Sequence, residues 1–123
     1  MKSGKFIKIQ DGVIIRKDSL KDWRATKYDP KGCHFYIAMR NSKTGNYDMY
    51  PTSHYVDLSK QTDIRKGHAI LMNIKGVRGL STVYKYPRRR NVHGQPFDPT
   101  FSKYESVGFL TPSQMKRFKK FIK

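Results

Sequence analysis

The residues best suited to chemistry lie in one short segment, Pro51-Thr52-Ser53-His54. The sequence before it, Tyr47–Tyr50, predicts a strand, and the proline is expected to end that strand. Two hydroxyls followed by an imidazole can hold a phosphate and carry a proton. The same residue types are also common in turns. The pattern alone therefore leaves a catalytic and a structural interpretation open.

The chemistry that fits these residue types is metal-free cleavage of RNA. The ribose 2′-hydroxyl attacks the neighbouring phosphorus, so the protein supplies only a base, an acid and groups that hold the phosphate. Phosphate-binding motifs such as G-x-x-x-x-G-K-[ST] and G-x-G-x-x-G are absent from the sequence. The single cysteine, the scattered histidines and the few carboxylates do not have metal-site spacing. We therefore expect no metal and no cofactor.

The charge of the chain indicates its partner. Lysine and arginine number 26 against 9 acidic residues, which gives a net charge of +17. Solubility of a small domain needs only about 2 to 8 charges, so the excess points to a polyanion. Nucleic acid is favoured over an acidic protein partner, and both are favoured over a membrane surface. The sequence contains no apolar run of the roughly 18 residues that a membrane helix needs.

The N-terminal residues lack the apolar stretch of a signal peptide. The lone Cys33 suggests a reducing compartment and is interpreted as a structural residue. We therefore expect a cytoplasmic protein. The length of 123 residues predicts one domain over 1–123.

The elements that must position the candidate residues are short strands. Alternating or continuous apolar runs predict them, with turn residues between. Residues 56–66 are expected to form a loop, residues 87–100 a long basic loop, and residues 19–24 one helical turn. The predicted strands are 5–9, 13–16, 34–40, 47–50, 68–74 and 80–86.

The C-terminal segment predicts one amphipathic helix. Thr111, Pro112 and Gln114 have the spacing of a capping box with a proline at the first helical position. The apolar residues Met115, Phe118, Phe121 and Ile122 recur at helical spacing, and the opposite face is basic. That face is either a solvated exterior or a nucleic-acid contact. Six or seven short strands and one helix predict an α+β fold, either a small antiparallel β-barrel or a curled sheet, with a C-terminal α-helix packed on it.

Three segments of the chain resemble the MazF/PemK toxin superfamily. KGCHFYIAMRNS (31–42) is similar to an early strand of that family, and YDMYPTSH (47–54) to the strand that ends in a P-x-T-S element. ESVGFLTPSQMKRFKKFIK (105–123) is similar to the closing strand and helix. The related ToxN/AbiQ branch, with a similar barrel and an RNA antitoxin, is an equally close comparison. The three segments cover about half of the chain.

The resemblance implies an SH3-like barrel and a metal-independent endoribonuclease that cuts single-stranded RNA at short sequences. It also implies a toxin–antitoxin system in which an acidic protein or an RNA acts as the antitoxin, and a homodimer. Thr52 and Ser53 match the hydroxyl pair of the family. The chain departs from the family at Gly32-Cys33-His34, where an arginine before a proline is usual.

Either Arg40, Lys31 or His34 takes the role of that arginine, or the activity is lost. Residue type favours His54, His34 and Arg40 as catalytic residues, with Lys31 as a further cation. The basic loop supplies the expected RNA contacts, and an aromatic side chain beside it can stack on an unpaired base. The residues of this RNA-binding set are Lys31, Tyr86, Arg88, Arg89, Arg90 and His93.

Two alternatives remain open from the sequence. A non-catalytic nucleic-acid-binding protein of phage or plasmid origin would use the same basic surface. An inhibitor that targets a protein would use that surface to mimic or block nucleic acid. Convergence of Thr52, Ser53 and a histidine or arginine in one basic cleft would favour the enzyme.

Overall fold

The computed structural model describes residues 11–16, 35–54, 61–90, 94, 96–97 and 106–123. The predicted strand over 5–9 and the helical turn over 19–24 lie outside these residues. The chain order of the described elements is β1 (Val13–Arg16), β2 (Phe35–Arg40), β3 (Tyr47–His54), α1 (Gln61–Arg65), β4 (Ala69–Met72), β5 (Ser81–Tyr84), β6 (Ser106–Phe109) and α2 (Pro112–Ile122).

The six strands form one antiparallel sheet in the order β4-β5-β3-β2-β1-β6. The sheet curls into a half-barrel, and its two ends approach each other near Gly108. A Cβ atom at Gly108 of β6 would lie 2.6 Å from the carbonyl oxygen of Lys75, which follows β4. The α+β class, the antiparallel sheet and the C-terminal helix are therefore confirmed.

Both faces of the sheet are covered. One face carries a buried cluster that includes a side chain from the basic loop; its members are Val13, Ile15, Tyr36, Ala38, Tyr47, Met49 and Phe97. The other face packs against α2, and its buried members are Ile14, Ile37, Met39, Tyr50, Met72, Ile74, Val83, Leu110 and Phe118. Phe118 meets Tyr50 edge to face, with ring centroids 5.0 Å apart. This contact fixes the helix over the middle of β3.

Helix α2 begins at the predicted capping box. The Thr111 hydroxyl accepts from the backbone amide of Gln114 at 3.2 Å, and the Gln114 side chain accepts from the Thr111 amide at 3.0 Å. The helix also covers the outer edge of β4. Gln114 donates to the carbonyl of Asn73 at 2.7 Å, and Arg117 donates to that of Leu71 at 2.9 Å. These bonds occupy backbone acceptors that an edge strand would otherwise expose.

The sequence predicted that Pro51 ends the strand, and this prediction is wrong. Strand β3 continues through it to His54. Met49 pairs with Arg88 on one side of Pro51, while Thr52–His54 pair with β5 on the other. The proline therefore lies where β3 changes partner, a position at which its missing N–H costs little.

The segment predicted as a loop over 56–66 contains a helix, so that prediction is wrong for Gln61–Arg65. Ile64 is its one half-buried apolar side chain, too little to give a helical period in the sequence. Gly67, with a φ of 76°, follows the helix in the left-handed conformation typical of helix ends.

The predicted basic loop is partly paired with the sheet. Two bridges join it to β3, Met49 with Arg88 and Tyr47 with Phe97, and a third, Arg90 with Pro96, lies within the loop. No helix among the described residues is long and apolar enough to cross a membrane.

Candidate functional site

A pocket of about 470 Å³ lies at the end of β3. It contains the whole Thr52-Ser53-His54 segment that the sequence singled out. The opposite wall is the turn between β4 and β5, together with the first residue of β5. None of the lining residues is acidic; they are Phe35, Thr52, Ser53, His54, Gly76, Val77, Arg78, Gly79 and Ser81.

Strand pairing positions the imidazole of His54 in this pocket. His54 lies opposite Ser81 in the β3–β5 ladder, so its side chain comes close to the turn that precedes β5. A Cβ atom at Gly79 would lie 2.5 Å from Cε1 of His54. The absence of a side chain at Gly79 therefore makes room for the ring, and the residue at position 54 is exposed.

The two hydroxyls are buried in the strand rather than displayed on a turn. Thr52 is 2% exposed and Ser53 is 3% exposed. The Thr52 hydroxyl donates to the carbonyl of Phe35 at 3.1 Å, and the Ser53 oxygen lies 3.4 Å from the hydroxyl of Tyr84. Because neighbouring residues of a strand face opposite sides, Thr52 shares its face with His54 and Ser53 does not. His54 is thus the accessible member of the segment.

Arg78 is the cation of the pocket, and it is not among the site residues predicted from the sequence. It is exposed and lies between Gly76 and Gly79, both of which have positive φ angles. These glycines allow the tight turn that brings the arginine to the end of β3. The Gly-Val-Arg-Gly segment could have indicated this residue from the sequence, because it places a cation in a turn flanked by glycines.

The structure does not bring Arg40 to this pocket. Arg40 pairs with Tyr47 at one end of the β2–β3 hairpin, whereas Thr52 pairs with Phe35 at the other end. Five residues of strand correspond to roughly 17 Å. Three further predicted site residues, Lys31, His34 and His93, lie outside the described part of the chain.

The predicted RNA-binding residues that are described lie along the segment after β5. Tyr86 is 62% exposed and meets the ring of His68 edge to face at 5.6 Å. Arg88 is half-buried and donates to the carbonyl of Arg90 at 3.3 Å. Arg90 donates to the carbonyl of Gly94 at 2.9 Å. Arg89 is exposed as well, with a side chain that is 69% exposed.

A second, smaller pocket surrounds the buried carboxylate of Asp48. Asn41 donates to Asp48 Oδ2 at 3.3 Å, and the Arg89 Nε atom lies 3.8 Å from the same oxygen. Burial raises the pKa of Asp48, while the Asn41 hydrogen bond and the Arg89 charge oppose that rise. Burial, with a smaller contribution from the Asp48 charge, also raises the pKa of Tyr50 to about 12.

Within the described residues, no three His, Cys, Asp or Glu side chains lie close enough to hold a metal ion together.

Comparison of the chain with models of known families, with curated proteins and with solved structures finds no match in any of the three.

Proposed function

We propose that the protein is a metal-independent endoribonuclease that acts on single-stranded RNA. The observation that carries the proposal is the meeting of His54 and Arg78 in one pocket on a chain of net charge +17. An imidazole can move the proton of the 2′-hydroxyl or of the leaving 5′-oxygen. A guanidinium can hold the phosphate as charge develops on it.

The pocket can admit a phosphodiester because its walls contain no carboxylate, although most of the wall surface is apolar. An acidic side chain there would repel the substrate and compete for Arg78. The volume of about 470 Å³ is within the range of small-molecule sites. The resemblance to MazF/PemK toxins implies a catalytic arginine that this chain lacks at the usual position. Arg78 would supply that positive charge from another part of the chain.

The roles of Thr52 and Ser53 in this proposal are narrower than the resemblance implies. The Thr52 proton is given to the Phe35 carbonyl, so Thr52 offers a phosphate no proton while that bond is kept. We assign Thr52 a positioning role, because it fixes the end of β3 from which His54 projects. Ser53 forms part of the pocket wall next to it.

The wider proposal follows the resemblance. The curled sheet with its C-terminal helix is compatible with an SH3-like barrel. The physiological role would be that of a cytoplasmic toxin held in check by an antitoxin, either an acidic protein or an RNA, and the active form would be a homodimer. The basic surface at Arg88, Arg89 and Arg90 would bind RNA phosphates, and the exposed Tyr86 ring would stack on a base.

A second candidate function is RNA binding without cleavage. The burial and internal hydrogen bonding of the two hydroxyls favour it, since they leave fewer free groups for catalysis. The two functions are separated by incubating the protein with a long single-stranded RNA in EDTA. The enzyme yields discrete fragments with 2′,3′-cyclic phosphate ends, and a 2′-deoxy substitution at the cut nucleotide prevents the cut. Intact RNA bound to the protein would leave only the binding function.

A further inference from the structure

The smaller pocket lies beside Asp48, near the start of β3, away from His54. It has a volume of about 130 Å³, below the roughly 300 Å³ at which pockets for whole drug-sized ligands begin. This size suits the edge of one planar ring rather than a whole nucleotide. Six of its seven lining residues are polar or charged; the seven are Asn41, Thr44, Asn46, Asp48, Arg89, Arg90 and Pro96.

The β-pairing of the basic segment builds this pocket. The backbone N–H and C=O groups of Met49 and Arg88 exchange hydrogen bonds of 2.8 Å, which places Arg89 next to Asp48 across the ladder. The hairpin loop between β2 and β3 supplies Asn41, whose amide donates to Asp48 Oδ2. A carboxylate and a guanidinium are thereby held side by side in one small recess.

The Asp48 side chain is unusual in this protein. It is the only acidic residue among the described ones that is buried, at 5% exposure. Burying a carboxylate is costly unless strong partners compensate. Its two contacts are long, at 3.3 Å to Asn41 and 3.8 Å to Arg89, so they compensate only in part. A donor with better geometry would be bound favourably.

We propose that this pocket is a subsite that recognises a guanine base of single-stranded nucleic acid. Guanine is the base whose Watson–Crick edge presents two adjacent N–H donors, N1–H and N2–H, and these match the two oxygens of Asp48. The neighbouring O6 of guanine accepts from Arg89, as guanine oxygens commonly do from arginine. Adenine, cytosine and uracil each place an acceptor where the carboxylate needs a donor. Unpaired bases are read at this edge in RNA recognition.

The subsite relates to the proposed function through β3. Asp48 and Thr52 are four residues apart on one strand and face the same side, so roughly 13 Å of strand separates them. A short stretch of single-stranded RNA can span this distance. The inference therefore rests on the proposed function for its placement along the substrate, and it would make Asp48 the residue that selects the cleavage sequence.

The test uses 2′-O-methyl oligonucleotides, which cannot be cleaved through a 2′-hydroxyl. Fluorescence anisotropy compares a U-only oligomer with oligomers that contain one G or one A. The full-length protein is expected to bind the G oligomer about tenfold more tightly. Asp48→Asn should abolish this preference, since an amide replaces one acceptor by a donor. Loss of the negative charge should change the binding of all the oligomers by the same factor, so the ratio of affinities is the readout. The matched control Asp63→Asn, on α1, should keep the preference.

Arg89→Met gives a second reading, at the other charged side chain of the pair. It should weaken the guanine preference, because a methionine side chain has no N–H to donate to O6. RNA that is bound or cleaved without any guanine preference would overturn the subsite and leave the proposed function standing. A guanine preference without cleavage of ordinary RNA would overturn the proposed function and leave the subsite standing. A preference retained in Asp48→Asn would also overturn the subsite.

Discussion

Gly79 lies directly against the imidazole of His54. A Cβ atom at Gly79 would come within 2.5 Å of Cε1 and 3.4 Å of Nδ1 of that ring. The turn before β5 thus determines where the ring can lie, although it is distant from His54 in the sequence. The geometry of the pocket depends on this contact as much as on the residues of β3.

Replacement of Gly79 by alanine should move the His54 ring and lower the RNA cleavage rate at least tenfold. The substitution also strains the backbone, because φ is 78° at this position, at a cost of roughly 1–2 kcal/mol. Gly67→Ala is the matched control, since φ is 76° there but nothing lies within 4 Å of the added Cβ. Single-turnover cleavage and urea unfolding of both variants separate the two effects. Equal cleavage rates would show that the His54 position is unimportant.

Thr52→Val should lower the stability of the protein and should have only a small effect on the cleavage rate. The shape is retained, but the Phe35 carbonyl loses a hydrogen bond of 3.1 Å in a buried region. The expected loss is about 1 kcal/mol in the free energy of unfolding, measured by urea denaturation. Relative to the wild type, the cleavage rate of folded Thr52→Val should fall by a smaller factor than the cleavage rate of His54→Ala. A fall as large as in His54→Ala, with unchanged stability, would instead assign the Thr52 hydroxyl to the reaction.

Arg78→Gln should reduce both cleavage and the salt dependence of RNA binding. Loss of one phosphate contact to a single strand changes the slope of log K against log salt concentration by about 0.7. The cleavage rate should fall by roughly 10² to 10³, as on loss of one transition-state donor. The control is Arg65→Gln, an exposed arginine at the end of α1, which removes the same charge elsewhere. Identical slopes and rates in the two variants would remove Arg78 from the site.

Asp48→Asn should stabilise the protein at pH 7. Burial raises the pKa of Asp48 in the folded state above its unfolded value, so the folded protein binds more protons between the two values. The stability gained by protonation is fully present below the unfolded pKa and is lost as the pH rises through the folded pKa. Thermal melts should therefore show a higher melting temperature for Asp48→Asn than for the wild type at pH 7, and this difference should shrink as the pH is lowered. An advantage for the wild type at pH 7 would mean that Asn41 and Arg89 outweigh the cost of burial.

Local patterns in the sequence predicted much of the fold. The strand at Val13–Arg16 and the cap at Thr111 rest on neighbouring residues, and the structure has both as predicted. Pro51 was misjudged because its tolerance depends on the change of partner along β3, which is a property of the sheet. Helix α1 was missed because its packing against β4, rather than a sequence period, supports it.

The candidate site could be predicted only in part. The Thr52-Ser53-His54 segment was found because it is contiguous in the sequence. Arg78 was not found, since only the β3–β5 ladder brings its turn to His54. Arg40 looked suitable by residue type, but the register of β2 with β3 puts it at the far end of the hairpin. Distances between strands are set by pairing register, which residue types alone do not reveal.

The most direct test of the account is the cleavage rate of His54→Ala in EDTA on a long single-stranded RNA. Wild-type protein should produce discrete fragments, and the variant should be slower by roughly 10² to 10⁴, the usual contribution of a general acid or base. Arg65→Gln, prepared in parallel by the same purification, guards against a contaminating nuclease and should cut at the wild-type rate. If the wild type leaves the RNA intact, or if His54→Ala cuts as fast as the wild type, the proposed active site is contradicted.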